Sequence, residues 1–180
     1  MKKTAVLLLC SLLIIGIGSC TKTKKAVDEL TEFDINYTTN LNIPSTSFTT
    51  VTTPVDITTP NIPTASSSKF TSEKTTQDLV SEIKMTKFNI STTGSNLDFL
   101  KSVSIYIKSA TQGELLVATK SNIPAGTTAT SADLQNVNIK EYIFKDNIQF
   151  RVSFLFQTGS AGAQNLKLDQ TVHVKATILK

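Results

Sequence analysis

The residue of this chain best placed for covalent chemistry is Cys20, which follows an apolar run over residues 5–17 and two small residues. Two lysines precede the apolar run. A charged start, a short apolar stretch and small residues before a cleavage point are the layout of a signal peptide. The pattern predicts an N-terminal signal helix within a signal peptide over residues 1–19.

The motif Ile17-Gly18-Ser19-Cys20 resembles the lipobox of bacterial lipoproteins. The resemblance implies that the thiol of Cys20 receives a diacylglyceryl group, that the peptide is cut just before it, and that the new amine is acylated. Ile17 stands where leucine is usual, and Gly-Ser stands where Ala-Gly is common. The resemblance covers residues 1–20 only, and the mature domain resembles no family.

Two other interpretations of the apolar run stay open. A transmembrane anchor is the weaker one, because a helix needs roughly 20 apolar residues to span a bilayer. An ordinary secretory signal, cut at another position, is the main rival. If Cys20 is lipidated, two or three acyl chains such as palmitate would hold the protein firmly at a membrane, since each buried methylene contributes about 0.8 kcal/mol.

The residues after Cys20 are polar and predict a lipidated tether over residues 20–30. Lys22, Lys24 and Lys25 lie within reach of anionic headgroups and can add electrostatic attraction, although a solvated tether is an equal alternative. Lipoproteins destined for some cell surfaces carry acidic residues at this point, which this basic stretch does not resemble. We therefore expect the periplasmic face of the outer membrane.

The charge and cysteine content of the chain argue against nucleic-acid binding and against disulfide bonds in the mature protein. The formal net charge of +4 falls by two when Lys2 and Lys3 leave with the signal peptide, and Arg151 is the only arginine, so nothing resembles a nucleic-acid footprint. Cys10 would leave with the same peptide, and the mature chain then contains no cysteine except the lipidated one. A disulfide is excluded, and the fold must be held by its core.

Alternation of apolar and polar residues at period two predicts β-strands with one buried face along most of the chain. The final two alternating segments are the clearest and are expected to pair as a hairpin, and residues 103–107 and 115–119 are expected to form another hairpin across a turn at residues 111–114. Proline interrupts expected edge segments between residues 52 and 63. The alternating segments are residues 33–43, 83–91, 103–107, 115–119, 148–156 and 166–178.

Three local irregularities are also predicted. Within residues 83–91 the apolar positions change from odd-numbered to even-numbered residues, which indicates a β-bulge near Thr86-Lys87. A helical turn is expected to begin at Ser72, with Gln77 to Val80 near its end, and another lies over residues 140–145. Together these elements predict an all-β domain over residues 31–180, an antiparallel two-sheet sandwich that is Ig-like or jelly-roll-like. A closed barrel is the alternative architecture.

Side chains suited to catalysis are few and scattered. His173 is the only histidine, and alternation with Val172 and Val174 directs it away from the core. A lone histidine without free cysteines cannot form the usual zinc site. The spacing leaves open one kind of catalytic site, a pair of carboxylates that folding brings together, as glycoside hydrolysis requires. We predict no catalytic, metal-binding or cofactor-binding residue and no enzymatic activity.

The sequence thus predicts a membrane-anchored envelope lipoprotein with a structural or protein-binding role. Its expected partners are a membrane, through the lipid, and an unidentified envelope protein, with no nucleic acid. The alternative is a ligand-binding or adhesion module for glycan or lipid. Glycan binding usually needs an exposed aromatic platform. Tryptophan is absent, and Tyr106, on the polar face of its strand, is the available candidate.

Overall fold

The computed structural model describes residues 30–45, 52–157 and 162–179. The predicted signal helix, Cys20 and nearly all of the predicted tether lie outside the described residues. No helix within the described ranges is long and apolar enough to cross a membrane. In chain order the elements are β1 (Leu30–Ile43), β2 (Val55–Thr58), β3 (Ile62–Pro63), α1 (Ser66–Ser72), a 3₁₀ helix (Gln77–Leu79), β4 (Val80–Thr92), β5 (Leu100–Lys108), β6 (Leu115–Ser121), β7 (Ala129–Ser131), β8 (Asp133–Leu134), α2 (Lys140–Ile143), β9 (Asn147–Phe156) and β10 (Gln164–Thr177).

The strands form two antiparallel sheets. The first has the order β1-β10-β4-β7. The second has the order β2-β9-β5-β6-β8, and β3 also pairs with β9. The prediction of a mostly β chain with two antiparallel sheets is therefore confirmed. Alternation along the long strands produces this arrangement, because it gives each strand one apolar face to bury.

The two sheets pack face to face around one apolar core. Phe88 of β4 and Phe150 of β9 meet between them, with ring centroids 5.4 Å apart and planes at 86°. Edge-to-face packing of this kind is favourable for aromatic rings. The core includes inward-facing residues from both sheets, so the architecture is a β-sandwich.

The predicted hairpin between the last two long strands is wrong. β9 lies between β2 and β5 in one sheet, whereas β10 lies between β1 and β4 in the other. Alternation specifies which face of a strand is buried, but it does not specify the neighbouring strand. The hairpin expected between residues 103–107 and 115–119 does form, as β5 and β6.

The helical turn expected from Ser72 to about Gln77–Val80 is confirmed at its end, where Gln77–Leu79 form a short 3₁₀ helix, but its start is wrong, because Ser72 is the last residue of α1. Burial of Phe70 accounts for the helix position. Its ring packs edge-on against Phe33, at 6.2 Å between centroids, and against Phe144, at 6.1 Å. Tertiary packing of one aromatic side chain thus outweighs the poor helix propensity of a serine-rich segment.

Other local predictions are confirmed. A register shift against β10 occurs between Lys87 and Met85, which leaves Thr86 as the extra residue of a β-bulge. The short edge strands β2 and β3 lie in the proline-rich region, and α2 lies within residues 140–145. The short strand β7 was not predicted, and β8 overlaps only the start of a weak apolar pattern of Leu134, Val137 and Ile139, because two or three residues are too few to show periodicity.

Candidate functional site

The most distinctive surface feature is the outer edge of β1. One side of β1 pairs with β10 along all 14 residues, from Leu30 opposite Thr177 to Ile43 opposite Gln164, without a register shift. The other side has no strand partner among the residues that the structure describes. In a strand paired on one side, alternate residues direct their N–H and C=O groups toward the free side. About seven residues of β1 therefore present unpaired backbone groups.

The other edge strands within the described ranges are much shorter, and β7 pairs with only three residues of the 13-residue β4. β7 and β8 contain three and two residues, and β2 contains four residues between Pro54 and Pro60. Short strands and proline are two of the devices that protect a sheet edge from pairing with another chain. β1 contains no proline, lysine or glycine and no bulge. It is the one long edge of this domain that lacks these protections, within the part of the chain described.

The core next to this edge is slightly open to solvent. Phe33, Ile35 and Tyr37 point inward from β1 and keep 9%, 8% and 7% of their surface exposed, whereas Ile43 keeps 0%. The phenol of Tyr37 donates a hydrogen bond to the carbonyl of Thr64 at 3.1 Å, and burial raises the pKa of this phenol. The inward-facing apolar side chains of the first half of β1 are thus slightly more exposed than those of the second half.

Helix α1 lies beneath the start of β1. In addition to the contact between Phe70 and Phe33, the ammonium group of Lys69 lies 5.6 Å from the centroid of the Phe33 ring. Lys69 also pairs with Glu73 at 2.7 Å, one helical turn away. These contacts hold the inner side of β1 in place.

The outer face of β1 and β10 carries a cluster of close contacts between carboxylates and basic side chains. His173 places Nδ1 at 2.8 Å from Asp34 Oδ1 and Nε2 at 3.4 Å from Glu32 Oε2. Lys175 Nζ is 3.6 Å from the other oxygen of Glu32. His173 points away from the core, as predicted. Within the described residues no group of three or more His, Cys, Asp or Glu side chains is arranged to hold a metal ion.

Hydrogen bonds between directly opposite residues continue this face toward the other end of β1. Thr38 donates to Asp169 Oδ1 at 2.7 Å, and Thr171 donates to Asn36 at 2.8 Å. The bond from Thr38, followed by one from Lys167, lowers the pKa of Asp169. Exposed pairs of this kind contribute little stability each, but they fix the side chains of neighbouring strands.

Tyr106 is not the free aromatic platform that its position in β5 suggested. The guanidinium carbon of Arg151 lies 4.0 Å from the centroid of its ring. Arg151 also contacts Glu114 at 2.8 Å and Asp56 at 3.1 Å. Desolvation opposes protonation of Arg151, but these carboxylates raise its pKa nevertheless. One face of the phenol is therefore covered by a cation–π contact.

A groove of about 490 Å³ lies where the end of β1 approaches β2. Five of its eight lining residues carry an amide or a hydroxyl group, although apolar atoms form most of the lining surface. Asn42 and Asn165 are linked by a hydrogen bond of 2.9 Å. Leu41 and Ile57 add apolar surface. Sequence patterns gave no signal for this groove, because its walls come from strands of different sheets. The lining residues are Asn40, Leu41, Asn42, Ile57, Thr58, Thr59, Pro60 and Asn165.

Comparison with known proteins adds little. No protein-family model matches the chain, and no curated protein matches it. A structure of turnip yellow mosaic virus at 100 K is similar over 83% of this chain and 97% of that chain, at 10% identity and a TM-score of 0.30. A structure of Desmodium yellow mottle tymovirus is similar over 83% and 91%, at 11% identity and a TM-score of 0.31. Similarity this weak supports no conclusion about fold or function.

Proposed function

We propose that this chain is a lipid-anchored protein of the bacterial cell envelope with a non-enzymatic structural or protein-binding role. The anchor is Cys20, and the favoured location is the periplasmic face of the outer membrane. Residues 1–19 are the signal peptide, residues 20–30 the tether, and residues 31–180 an Ig-like or jelly-roll-like sandwich. The lipobox supports the location, and the free edge of β1 supports the role.

The free edge of β1 is the observation that carries the protein-binding role. An extended segment of a protein can add to an exposed sheet edge, where main-chain hydrogen bonds supply affinity. The exposed fractions of Phe33, Ile35 and Tyr37 mark apolar surface that an added strand would cover. In contrast, the polar side chains on the outer face of β1 and β10 already pair with one another within the molecule, and this face suits contact with water.

The anchor is tested by mass spectrometry of the processed N-terminus. We expect an acylated N-terminal Cys20 in the wild-type protein and in Cys10→Ala, which is the matched control, and a soluble or unprocessed product from Cys20→Ala. If the protein in intact cells is protected from externally added protease, the periplasmic face is supported. Cleavage of the protein by that protease would contradict the periplasmic face. An unmodified N-terminus at another position would overturn the anchor.

The binding role is tested by photo-crosslinking in intact cells. A photoreactive residue replaces Thr38 on β1 or, as the control, Lys101 on the exposed face of β5 in the other sheet. We expect a discrete crosslinked protein band from position 38 and none from position 101. Equal or absent crosslinking at both positions would contradict a role for the β1 edge.

The groove between β1 and β2 favours a second candidate function, binding of a glycan. Its amide and hydroxyl groups can exchange hydrogen bonds with sugar hydroxyls. A glycan array probed with the full-length protein and with Asn40→Ala tests this function. Binding that the substitution abolishes would support the alternative, and a blank array together with lipid-free extracts of the purified protein would exclude glycan or lipid binding.

A further inference from the structure

We infer that the partner of the β1 edge is the β1 edge of a second copy of this chain, in antiparallel pairing about a twofold axis. The two four-stranded sheets would then join into one continuous sheet. This inference rests on the proposed protein-binding role of β1 and names its occupant. A twofold arrangement is the commonest symmetry of soluble homo-oligomers.

Length is the first argument for a second copy. β1 offers 14 residues, and every other edge strand in the described ranges offers four or fewer. Within this molecule, only β1 matches β1. Pairing β1 with a short edge would leave most of its outward N–H and C=O groups without a strand partner, whereas pairing with itself can satisfy nearly all of the overlapping ones.

Charge distribution along β1 is the second argument. Both carboxylates of the strand, Glu32 and Asp34, lie in its first half, and the second half carries uncharged amides and hydroxyls on the same outer face. Antiparallel pairing brings the first half of one copy against the second half of the other. Parallel pairing would place each carboxylate beside its own counterpart, which is unfavourable.

The carboxylates meet hydrogen-bond donors in every register with the twofold axis between Ile35 and Tyr37. With the axis at Ile35, Asp34 lies opposite Asn36. The same chemistry already operates inside the molecule, where Thr38 lies directly opposite Asp169 and donates to it at 2.7 Å. For axes at positions 35, 36 and 37, Asp34 lies opposite Asn36, Thr38 and Asn40, and Glu32 lies opposite Thr38, Asn40 and Asn42.

The third argument is the residual exposure of core side chains on β1, which indicates where along β1 the twofold axis lies. Among the apolar inward-facing residues of β1, Phe33, Ile35 and Tyr37 have the largest residual exposure, and Leu41 and Ile43 are more deeply covered. A second strand centred on this stretch covers the side chains that remain open. A centre nearer to Ile43 would leave them exposed.

The test uses full-length protein in detergent, with its mass measured by light scattering across a concentration series. Asn36→Glu combined with Asn40→Glu places a carboxylate opposite Asp34 or Glu32 in each of the three registers. Because Asn36 acts as an acceptor for Thr171, a glutamate there preserves that contact. We expect a dimer in the wild type and at least a tenfold weaker dimer in this double variant.

Two matched controls separate pairing from damage to the fold. Gln77→Glu with Ser121→Glu adds the same charge at exposed positions away from β1, and we expect the wild-type dimer. Asn36→Lys with Asn40→Lys replaces the same residues with the opposite charge, and we expect a smaller loss than with glutamate. Circular dichroism of each variant checks that the β-structure is retained.

A monomer at every concentration, or a dimer that both double variants at positions 36 and 40 leave unchanged, would overturn the inference. The photo-crosslinking at position 38 separates this failure from failure of the proposed function. A crosslinked band at twice the chain mass supports the second copy. A band of another mass would overturn the second copy and leave the binding role standing, and no band would overturn both.

Discussion

Gln170 lies directly opposite Tyr37 in the pairing of β10 with β1, and both side chains point into the core. The hydroxyl of Tyr37 reaches the carbonyl of Thr64, but neither polar atom of the Gln170 side chain has a hydrogen-bond partner among the described residues. On its other side Gln170 faces Phe88 of β4. A primary amide thus occupies a position of β10 where neighbouring inward-facing residues are aliphatic.

We predict that Gln170→Leu stabilises the protein by about 1–3 kcal/mol, which is the usual cost of leaving a buried polar group unsatisfied. Leucine has a similar volume and suits the inner face of the sheet. Urea denaturation measures the change in the free energy of unfolding.

Gln170→Asn is the matched control, because it keeps the amide and shortens the side chain, and we expect it to destabilise the protein. A loss of stability in Gln170→Leu would contradict the prediction. It would show that the amide of Gln170 forms a hydrogen bond in solution that is worth more than the apolar contacts of leucine.

Thr59 continues the pairing of β2 with β9 through its side chain. Its backbone N–H donates to the carbonyl of Phe150, and its hydroxyl accepts the N–H of Phe150, both at 2.9 Å. Both residues are buried. Thr59→Val leaves the N–H of Phe150 unsatisfied, so we predict a loss of about 1–3 kcal/mol in the free energy of unfolding, measured by urea denaturation.

Thr59→Ser keeps the hydroxyl and loses only a methyl group, and it is the control for this contact. We expect it to lose about 1 kcal/mol, consistent with one buried methyl group. Equal losses in the two variants would mean that packing of the methyl group, and not the hydrogen bond to Phe150, accounts for the burial of Thr59.

Asp169 couples stability to pH. The hydrogen bond from Thr38 is the largest cause of its lowered pKa, and Lys167 adds to it. A carboxylate whose pKa is lower in the folded state stabilises the fold above its unfolded pKa, near 3.9, and this stabilisation disappears as the pH falls through the folded pKa. Glu82, whose pKa is lowered by a hydrogen bond from Lys84, acts in the same direction.

We predict that Thr38→Val raises the pKa of Asp169 toward its ordinary value and reduces the loss of stability between pH 5 and strongly acidic solution. An NMR titration of the Asp169 carboxyl and unfolding curves across this range measure the two effects. Thr39→Val, on the inner-facing side of β1, is the control that should leave the pKa of Asp169 unchanged. An unchanged pKa in Thr38→Val would contradict the assignment.

Much of the secondary structure could be predicted from alternation, because one-sided burial leaves a period of two in the sequence. The pairing of strands could be predicted only where a short turn joins neighbours, as between β5 and β6. Ile148 and Leu166 begin equally regular apolar rows, yet the rows line opposite sheets. Alternation is a local property, whereas sheet order depends on which long-range pairings close the core.

The candidate site was even less predictable. That β1 is an edge strand depends on the position of β10 between β1 and β4, and no feature of residues 30–43 encodes that position. Tyr106 was expected on the polar face of its strand and lies there, but its cover by Arg151 depends on the pairing of β5 with β9. Cys20 was identified by its motif and lies outside the described residues.

The β-bulge in β4 is a feature that the sequence did encode, and it can be removed. Thr86 is the extra residue between Met85 and Lys87, which oppose consecutive residues of β10. Deleting Thr86 leaves Met85 inward, Lys87 outward and Phe88 inward, so regular alternation is restored. We predict that this deletion changes the free energy of unfolding by no more than about 1 kcal/mol, because no core side chain leaves its place.

Deletion of Lys84 from the same strand is the matched comparison. It makes Ile83 and Met85 adjacent, and adjacent residues of a strand point to opposite faces, so one of the two side chains must leave the core. We expect a loss of roughly 1.5–3 kcal/mol, the cost of exposing one such side chain. Urea denaturation of both deletion variants measures the two changes in the free energy of unfolding. If deleting Thr86 destabilises the protein as much as deleting Lys84, the prediction is contradicted. The bulge would then be required for the shape of the sheet, beyond correcting the alternation of buried residues.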